Sequence, residues 1–123
     1  MSLFTPSQLS TIKNRIQNNP ESLVIICFCA AWCDTCREYE TNFAQLAQEI
    51  TQHTFVWVDI ENNPELLGDE DVEDFPTIAI QNTNENLFYG VQLPYTNLLE
   101  SLIENCAKQS ATVVGGPPII AKI

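Results

Sequence analysis

Residues 23–37 have the sequence LVIICFCAAWCDTCR, and this stretch decides the fold of the chain. Its first seven residues are apolar and rich in β-branched side chains, which predicts a central strand buried on both faces. Apolar residues then recur with a helical period from about residue 35 to residue 52, and a second buried strand follows at 55–60. A strand, a helix and a second strand form a right-handed, parallel βαβ unit in nearly all cases. Cys33 therefore lies where the first strand ends and the helix begins, the place where open α/β sheets usually carry their functional residues.

Weaker patterns complete the layout of the chain. A capping sequence at residues 5–8 predicts a first helix, residues 77–80 and 87–89 predict a hairpin, and apolar spacing over 98–106 predicts a last helix. The fold class is therefore α/β, with a central mixed β-sheet of four or five strands flanked by helices.

Composition excludes several classes of partner. With 123 residues, 45% of them apolar, the chain is long enough for one domain with a single core. No apolar run reaches the roughly 20 residues that span a bilayer, and the N-terminal stretch does not read as a secretion signal. The formal net charge of −11 repels nucleic acid and anionic membrane surfaces. We expect a soluble, cytoplasmic protein that binds neither nucleic acid nor a membrane.

The five cysteines, at positions 27, 29, 33, 36 and 106, are too unevenly spread for a secreted disulfide framework. Cys33 and Cys36 form a Cys-x-x-Cys motif at a helix start, where backbone N–H groups favour an anion. Cys33 is the expected nucleophile, and the more shielded Cys36 is expected to resolve the mixed disulfide. A zinc site would need a second pair of ligands, so we expect no metal. Exchange between the two cysteines and a disulfide requires no bound cofactor. Cys27, Cys29 and Cys106 are predicted to be core thiols.

Three stretches, in this order, resemble the thioredoxin family: residues 31–37, with Ala-Trp-Cys-Asp-Thr-Cys-Arg, then Val58-Asp59-Ile60 with Asn63-Pro64, then Phe75-Pro76-Thr77. The resemblance covers about residues 5–107. It implies a thioredoxin fold and a thiol-disulfide oxidoreductase that acts on protein or small-molecule disulfides. The reductase or thiol that would reduce it is not identified by the sequence. A binding module without turnover and an extracytoplasmic oxidant or isomerase are the alternatives.

The resemblance also implies a substrate groove. Pro76 would be cis and face the cysteine pair, and the backbone of Phe75 would pair with an extended substrate. Trp32 would form one wall, while Gly90 would let substrate approach closely from the other side.

The chain departs from the family around the cysteine pair. Asp34-Thr35 replaces the usual Gly-Pro between the two cysteines. Asp34 disfavours a thiolate at Cys33 and Arg37 favours it, which leaves the direction of the net effect open. Cys27 stands six residues before Cys33, where the family usually holds a buried aspartate that assists proton transfer.

The composition changes after residue 109, so we predict a domain at 1–109 and a C-terminal tail at 110–123. Gly and Pro at 115–118 break any regular element, whereas the flanking Val and Ile residues are apolar. The family that the chain resembles commonly begins with an extra edge strand, but here the first helix starts almost at once, so one sheet edge is predicted to be open. The tail would add to that edge in the same chain or in a neighbouring copy, which makes tail-mediated self-association an expectation to test.

Overall fold

One mixed sheet forms the centre of the molecule. The computed structural model describes residues 3–108 and 112–123, and within them five strands pair in the order β1-β3-β2-β4-β5. They are β1 (Leu3–Phe4), β2 (Val24–Cys29), β3 (Thr54–Asp59), β4 (Thr77–Gln81) and β5 (Asn86–Val91). Strand β3 is parallel to both β1 and β2, whereas β4 is antiparallel to β2 and β5. The predicted α/β class and mixed sheet are confirmed.

Helices cover both faces of this sheet. They are α1 (Leu9–Asn18), α2 (Asp34–Glu49) and α3 (Thr96–Lys108), with short 3₁₀ turns at Pro6–Gln8, Pro64–Leu66 and Ile120–Lys122. In the part of the chain described, no helix is long and apolar enough to cross a bilayer.

Alternation along β2 divides the core into two clusters. Ile25, Cys27 and Cys29 pack on the face covered by α2 and α3, whereas Val24, Ile26 and Phe28 pack on the face covered by α1. Because successive strand residues point to opposite faces, the two cysteines of β2 both face α2. This side of the sheet therefore brings Cys27 and Cys29 into the same cluster as Cys36.

The sheet edge that we predicted to be open is occupied by β1. Leu3 pairs with Phe55 and Phe4 pairs with Val56. The sequence does not predict this strand, because two paired residues are too few to produce a periodic pattern. The prediction that the tail fills this edge is therefore wrong.

The tail, residues 112–123, packs instead beside the β4–β5 hairpin. The Val113 N–H donates to the Asn86 carbonyl oxygen over 2.8 Å. The buried side-chain amide of Asn86 donates to the carbonyl oxygens of Gly115, over 3.1 Å, and Pro117, over 2.9 Å. The predicted boundary between residues 109 and 110 lies outside the described residues, and self-association through the tail stays a prediction.

Gln81 fixes the second half of the tail. Its amide nitrogen donates to the Pro118 carbonyl oxygen over 2.9 Å, and its carbonyl oxygen accepts from the Ile120 N–H over 3.1 Å. Gln81 is fully buried, so these bonds offset the cost of removing a polar amide from water. Ile120 joins Ile12 and Ile16 of α1 in the core. The tail thus completes the cluster on the α1 face.

His53 makes a buried hydrogen bond that depends on its protonation state. Its Nδ1 accepts from the Leu23 N–H over 3.0 Å, which requires a free lone pair on that nitrogen. Burial lowers the pKa of His53 below its ordinary value of 6.5. Protonating the folded protein would cost this bond and place a charge in a buried site.

We therefore expect the free energy of unfolding to decrease as the pH falls below about 6.5. In that window the unfolded chain binds the His53 proton and the folded chain does not, so stability rises with pH until both states are neutral. His53 is the single histidine of the chain. Urea unfolding of the wild type and His53→Gln at pH 7.5 and pH 5.5 checks this expectation. An equal loss of stability in both proteins would contradict it.

Candidate active site

Cys33 occupies the position immediately before α2. Its backbone is extended, with φ −88° and ψ 118°, and its carbonyl oxygen accepts from the Arg37 N–H over 3.1 Å, which starts the helix. The Cys33 N–H donates to the carbonyl oxygen of Ala30 over 3.1 Å. The thiol is free and partly exposed. An unbonded sulfur therefore sits at the N-terminal end of a helix, where the first N–H groups lack intrahelical partners.

The structure joins Cys36 to Cys29 by a disulfide. The Cα atoms of the two residues are 5.8 Å apart, within the usual range for such a bond. We expected Cys36 to bond to Cys33, so the predicted pairing is not the one that this structure holds. The catalytic roles assigned to Cys33 and Cys36 stay predictions. Cys29 is buried as predicted, but it is bonded rather than a free core thiol.

The fold explains this pairing. Cys36 lies inside the first turns of α2 and points into the core, with 1% of its surface exposed, whereas Cys33 lies at the rim. Cys29 ends β2 on the face that α2 covers, and it is also 1% exposed. The sequence contained one usable signal, the spacing of two between Cys27 and Cys29, which places both side chains on one face of β2, the face that α2 covers. It did not show which of them meets Cys36.

Cys27 is the deeper of the two strand cysteines. It is fully buried, and its Sγ lies 3.7 Å from the Sγ of Cys29. Burial, and to a smaller extent the Glu40 carboxylate, raises the pKa of the Cys27 thiol well above its ordinary value. Cys27 is therefore a protonated core thiol, as predicted, and it does not reproduce the carboxylate that the family usually places here.

Trp32, the residue before Cys33, contacts a second aromatic side chain, Phe75. Trp32 is 65% exposed and meets the ring of Phe75 edge to face, with 5.6 Å between ring centroids. The Phe75–Pro76 peptide bond is cis, as the resemblance implied, and the Pro76 carbonyl oxygen accepts from the Gln92 N–H over 3.1 Å. Phe75 and Cys33 pack against the same buried cluster. The predicted cis bond is confirmed. That Pro76 faces the cysteine pair, that Trp32 forms a wall of a groove and that Phe75 pairs with substrate stay predictions.

Gly90 lies on β5, opposite Ile78 of β4. A Cβ atom built there would make ordinary contact, 3.5 Å, with the ring of Phe88, so packing within the fold does not require glycine. Gly90 borders a cavity of about 250 Å³ that is also lined by the acidic residues 71, 73 and 74. Its role in substrate approach stays a prediction.

Asp34 and Arg37 form an ion pair with each other. Arg37 also donates to the Ala31 carbonyl oxygen over 3.3 Å. Both charged side chains are largely exposed, so the pair adds little to stability. The roles predicted for Asp34 and Arg37 in tuning the Cys33 thiol stay predictions.

A cavity of about 350 Å³ lies behind the disulfide. Cys29 and Cys36 line it together with Ala30, Ala31, Arg37, Glu40, Trp57 and Asp59. Within residues 3–108 and 112–123, no group of three or more His, Cys, Asp or Glu side chains is placed to hold a metal ion.

Comparison with known proteins identifies the family of this chain. A family model described as Thioredoxin matches residues 5–105. Thioredoxin H5 of Oryza sativa subsp. japonica is 36% identical over 64 residues, which cover 52% of this chain and 47% of that protein. Thioredoxin-1 of Drosophila melanogaster is 28% identical over 94 residues, 73% of this chain and 88% of that protein. The match thus spans about half the length of the rice relative and most of the fly relative.

Solved structures share the same fold. The thioredoxin of Fasciola hepatica superposes with a TM-score of 0.68 at 24% identity, over 85% of this chain and 98% of that chain. A chain from the complex of ferredoxin:thioredoxin reductase with thioredoxin f2 gives a TM-score of 0.66 at 15% identity, over 88% of this chain and 96% of that chain. At these identities the likeness shows the thioredoxin fold alone. Together with the family match across residues 5–105, it shows that the chain belongs to the thioredoxin family.

Proposed function

We propose that this protein is a thiol-disulfide oxidoreductase that reduces disulfides of proteins or small molecules through Cys33 and Cys36. The observation that carries the proposal is the free, partly exposed thiol of Cys33 at the start of α2, beside the exposed ring of Trp32. An accessible sulfur, an apolar contact surface and a buried second sulfur on the same helix are what disulfide exchange needs.

The reaction follows from the different exposure of the two cysteines. The Cys33 thiolate attacks one sulfur of the substrate disulfide and expels the other as a thiolate, which forms a mixed disulfide. In the reduced protein Cys36, shielded from solvent in the helix that Cys33 precedes, then loses its proton and its thiolate attacks Sγ of Cys33. The bond between protein and substrate breaks, the substrate leaves fully reduced, and the protein keeps one disulfide.

An external donor must reduce the protein again for turnover. We propose a reductase protein or a small thiol as the donor. A solved structure of a thioredoxin f2 in complex with ferredoxin:thioredoxin reductase supports the first choice. The free thiols at Cys33 and Cys106 fit a reducing compartment and support a cytoplasmic location.

Cys36→Ser is expected to trap mixed disulfides through Cys33, because serine does not release the substrate from Cys33. The measurement is mass spectrometry of disulfide-linked species after incubation of the reduced variant with a protein disulfide substrate. The matched control, Cys33→Ser combined with Cys36→Ser, should trap none. A binding module without turnover would give no adduct in either protein, and that result would overturn the proposal.

A further inference from the structure

We propose that Cys29 is a third catalytic cysteine, which takes the disulfide over from Cys33. In this scheme the oxidised protein rests with Cys29 bonded to Cys36 and with Cys33 free. The inference rests on the proposed function, since substrate reduction supplies the Cys33–Cys36 disulfide from which the transfer starts.

The fold gives Cys36 two cysteine neighbours. Cys33 immediately precedes the helix that carries Cys36, and Cys29 ends the strand beneath it, with a Cα separation of 5.8 Å. Both Cys29 and Cys36 are almost completely buried, whereas Cys33 is partly exposed. A disulfide at Cys36 can therefore be formed at the rim with Cys33 and held in the core with Cys29.

The transfer is one thiol-disulfide exchange. Cys29 loses its proton, and its thiolate attacks Sγ of Cys36. The Cys29–Cys36 bond forms, the Cys33–Cys36 bond breaks, and Cys33 departs as a thiolate that takes up one proton. One disulfide exists before and after the step, so no further oxidant or reductant is needed. The cavity of about 350 Å³ behind Cys29 and Cys36 is large enough for water to carry the proton.

The step changes which sulfur is available to a partner. Burial keeps large thiols away from the new disulfide. The Cys33 thiolate that the exchange releases lies at the N-terminal end of α2, where a negative charge is stabilised. The oxidised protein therefore keeps a nucleophile at its rim. Reduction of the protein then runs through the reverse exchange, in which Cys33 attacks Cys36.

Cys27 provides a matched control because it shares the strand, the face and the burial of Cys29. Its Sγ lies 3.7 Å from that of Cys29, within sulfur hydrogen-bond distance, yet Cys27 is not part of the disulfide. A test that distinguishes these two neighbours separates a specific transfer from general reactivity of buried cysteines.

The experiment reads the state of each cysteine in the oxidised full-length protein. Reduced protein is treated with one molar equivalent of diamide and quenched in acid. Free thiols are then blocked with N-ethylmaleimide under denaturing conditions, and the remaining cysteines are reduced and labelled with iodoacetamide. Cleavage after Arg15 and Arg37 releases residues 16–37, a peptide that contains all four cysteines of the site.

In the wild type and in Cys27→Ala we expect the second label on Cys29 and Cys36 and the first label on Cys33. In Cys29→Ala the second label should move to Cys33 and Cys36. Cys33 of this oxidised variant, kept folded, should then no longer react with N-ethylmaleimide. The second label on Cys33 and Cys36 of the wild type would overturn the transfer while leaving the proposed function intact. Absence of any second label, together with no adduct in Cys36→Ser, would overturn both.

Cys33→Ser tests whether the disulfide arrives through Cys33. A protein disulfide substrate should leave Cys29 and Cys36 of this variant reduced, because each is 1% exposed. Oxidation of this pair at the wild-type rate would show that substrate reaches it directly and would overturn the step through Cys33.

Discussion

Cys33→Ser is expected to abolish disulfide reduction, lowering the rate by about 10³-fold or more, the order of loss that follows removal of a covalent nucleophile. The serine hydroxyl stays protonated near neutral pH and does not attack a disulfide at a useful rate. The position itself accepts serine, since Cys33 is the residue before α2 and serine is among the preferred residues there. Loss of activity would then reflect chemistry rather than unfolding.

The measurement is steady-state reduction of a protein disulfide with a small thiol as electron donor. Cys106→Ser is the matched control, because Cys106 is the other partly exposed free thiol among the described residues. Burial raises the pKa of the Cys106 thiol, which keeps it protonated. Activity retained in Cys33→Ser, or lost equally in both variants, would contradict the assignment of Cys33.

Ile120→Ala is expected to reduce the free energy of unfolding by about 2–5 kcal/mol, as for other large-to-small changes in a core. Ile120 is 1% exposed and packs with Ile12 and Ile16 of α1. A loss of this size is a large part of the total stability of an ordinary domain, about 5–15 kcal/mol. Urea unfolding curves of the two proteins give the difference.

Val114→Ala is the control for the tail, because Val114 is fully exposed. Its unfolding midpoint should match that of the wild type. If Ile120→Ala also unfolds at the wild-type midpoint, residues 112–123 do not contribute to the core in solution.

The elements that the sequence predicted well are those with local signals. The apolar run of β2 and the helical period of α2 each lie within one segment. Each pattern reflects which residues of that segment are buried, so it can be recognised without knowing the rest of the fold. The Cys-x-x-Cys motif could be placed at their junction for the same reason. The proline loop followed from a resemblance, since nothing in the local sequence distinguishes a cis from a trans Phe75–Pro76 bond.

What the sequence did not predict depends on contacts between distant segments. Gln81 and Asn86 lie between the two predicted strands of the hairpin, where polar residues are usually exposed. Their side chains are buried because the tail supplies hydrogen-bond partners. Which strand cysteine bonds to Cys36 depends on the position of α2 along β2. Hydrophobic periodicity does not determine that position. Cys29 was therefore assigned to the core correctly, but its disulfide with Cys36 was not predicted.

The two tryptophans of the chain occupy different places around the cysteines. Trp32, next to Cys33 in the chain, is exposed to solvent, whereas Trp57 lines the cavity beside the Cys29–Cys36 bond and meets Phe43 edge to face. Disulfides quench the fluorescence of nearby indole rings, and occupied binding surfaces shift the emission of exposed ones. We therefore expect the chain to carry two separate optical probes, Trp32 for a partner at the proposed groove and Trp57 for the Cys29–Cys36 bond in the interior.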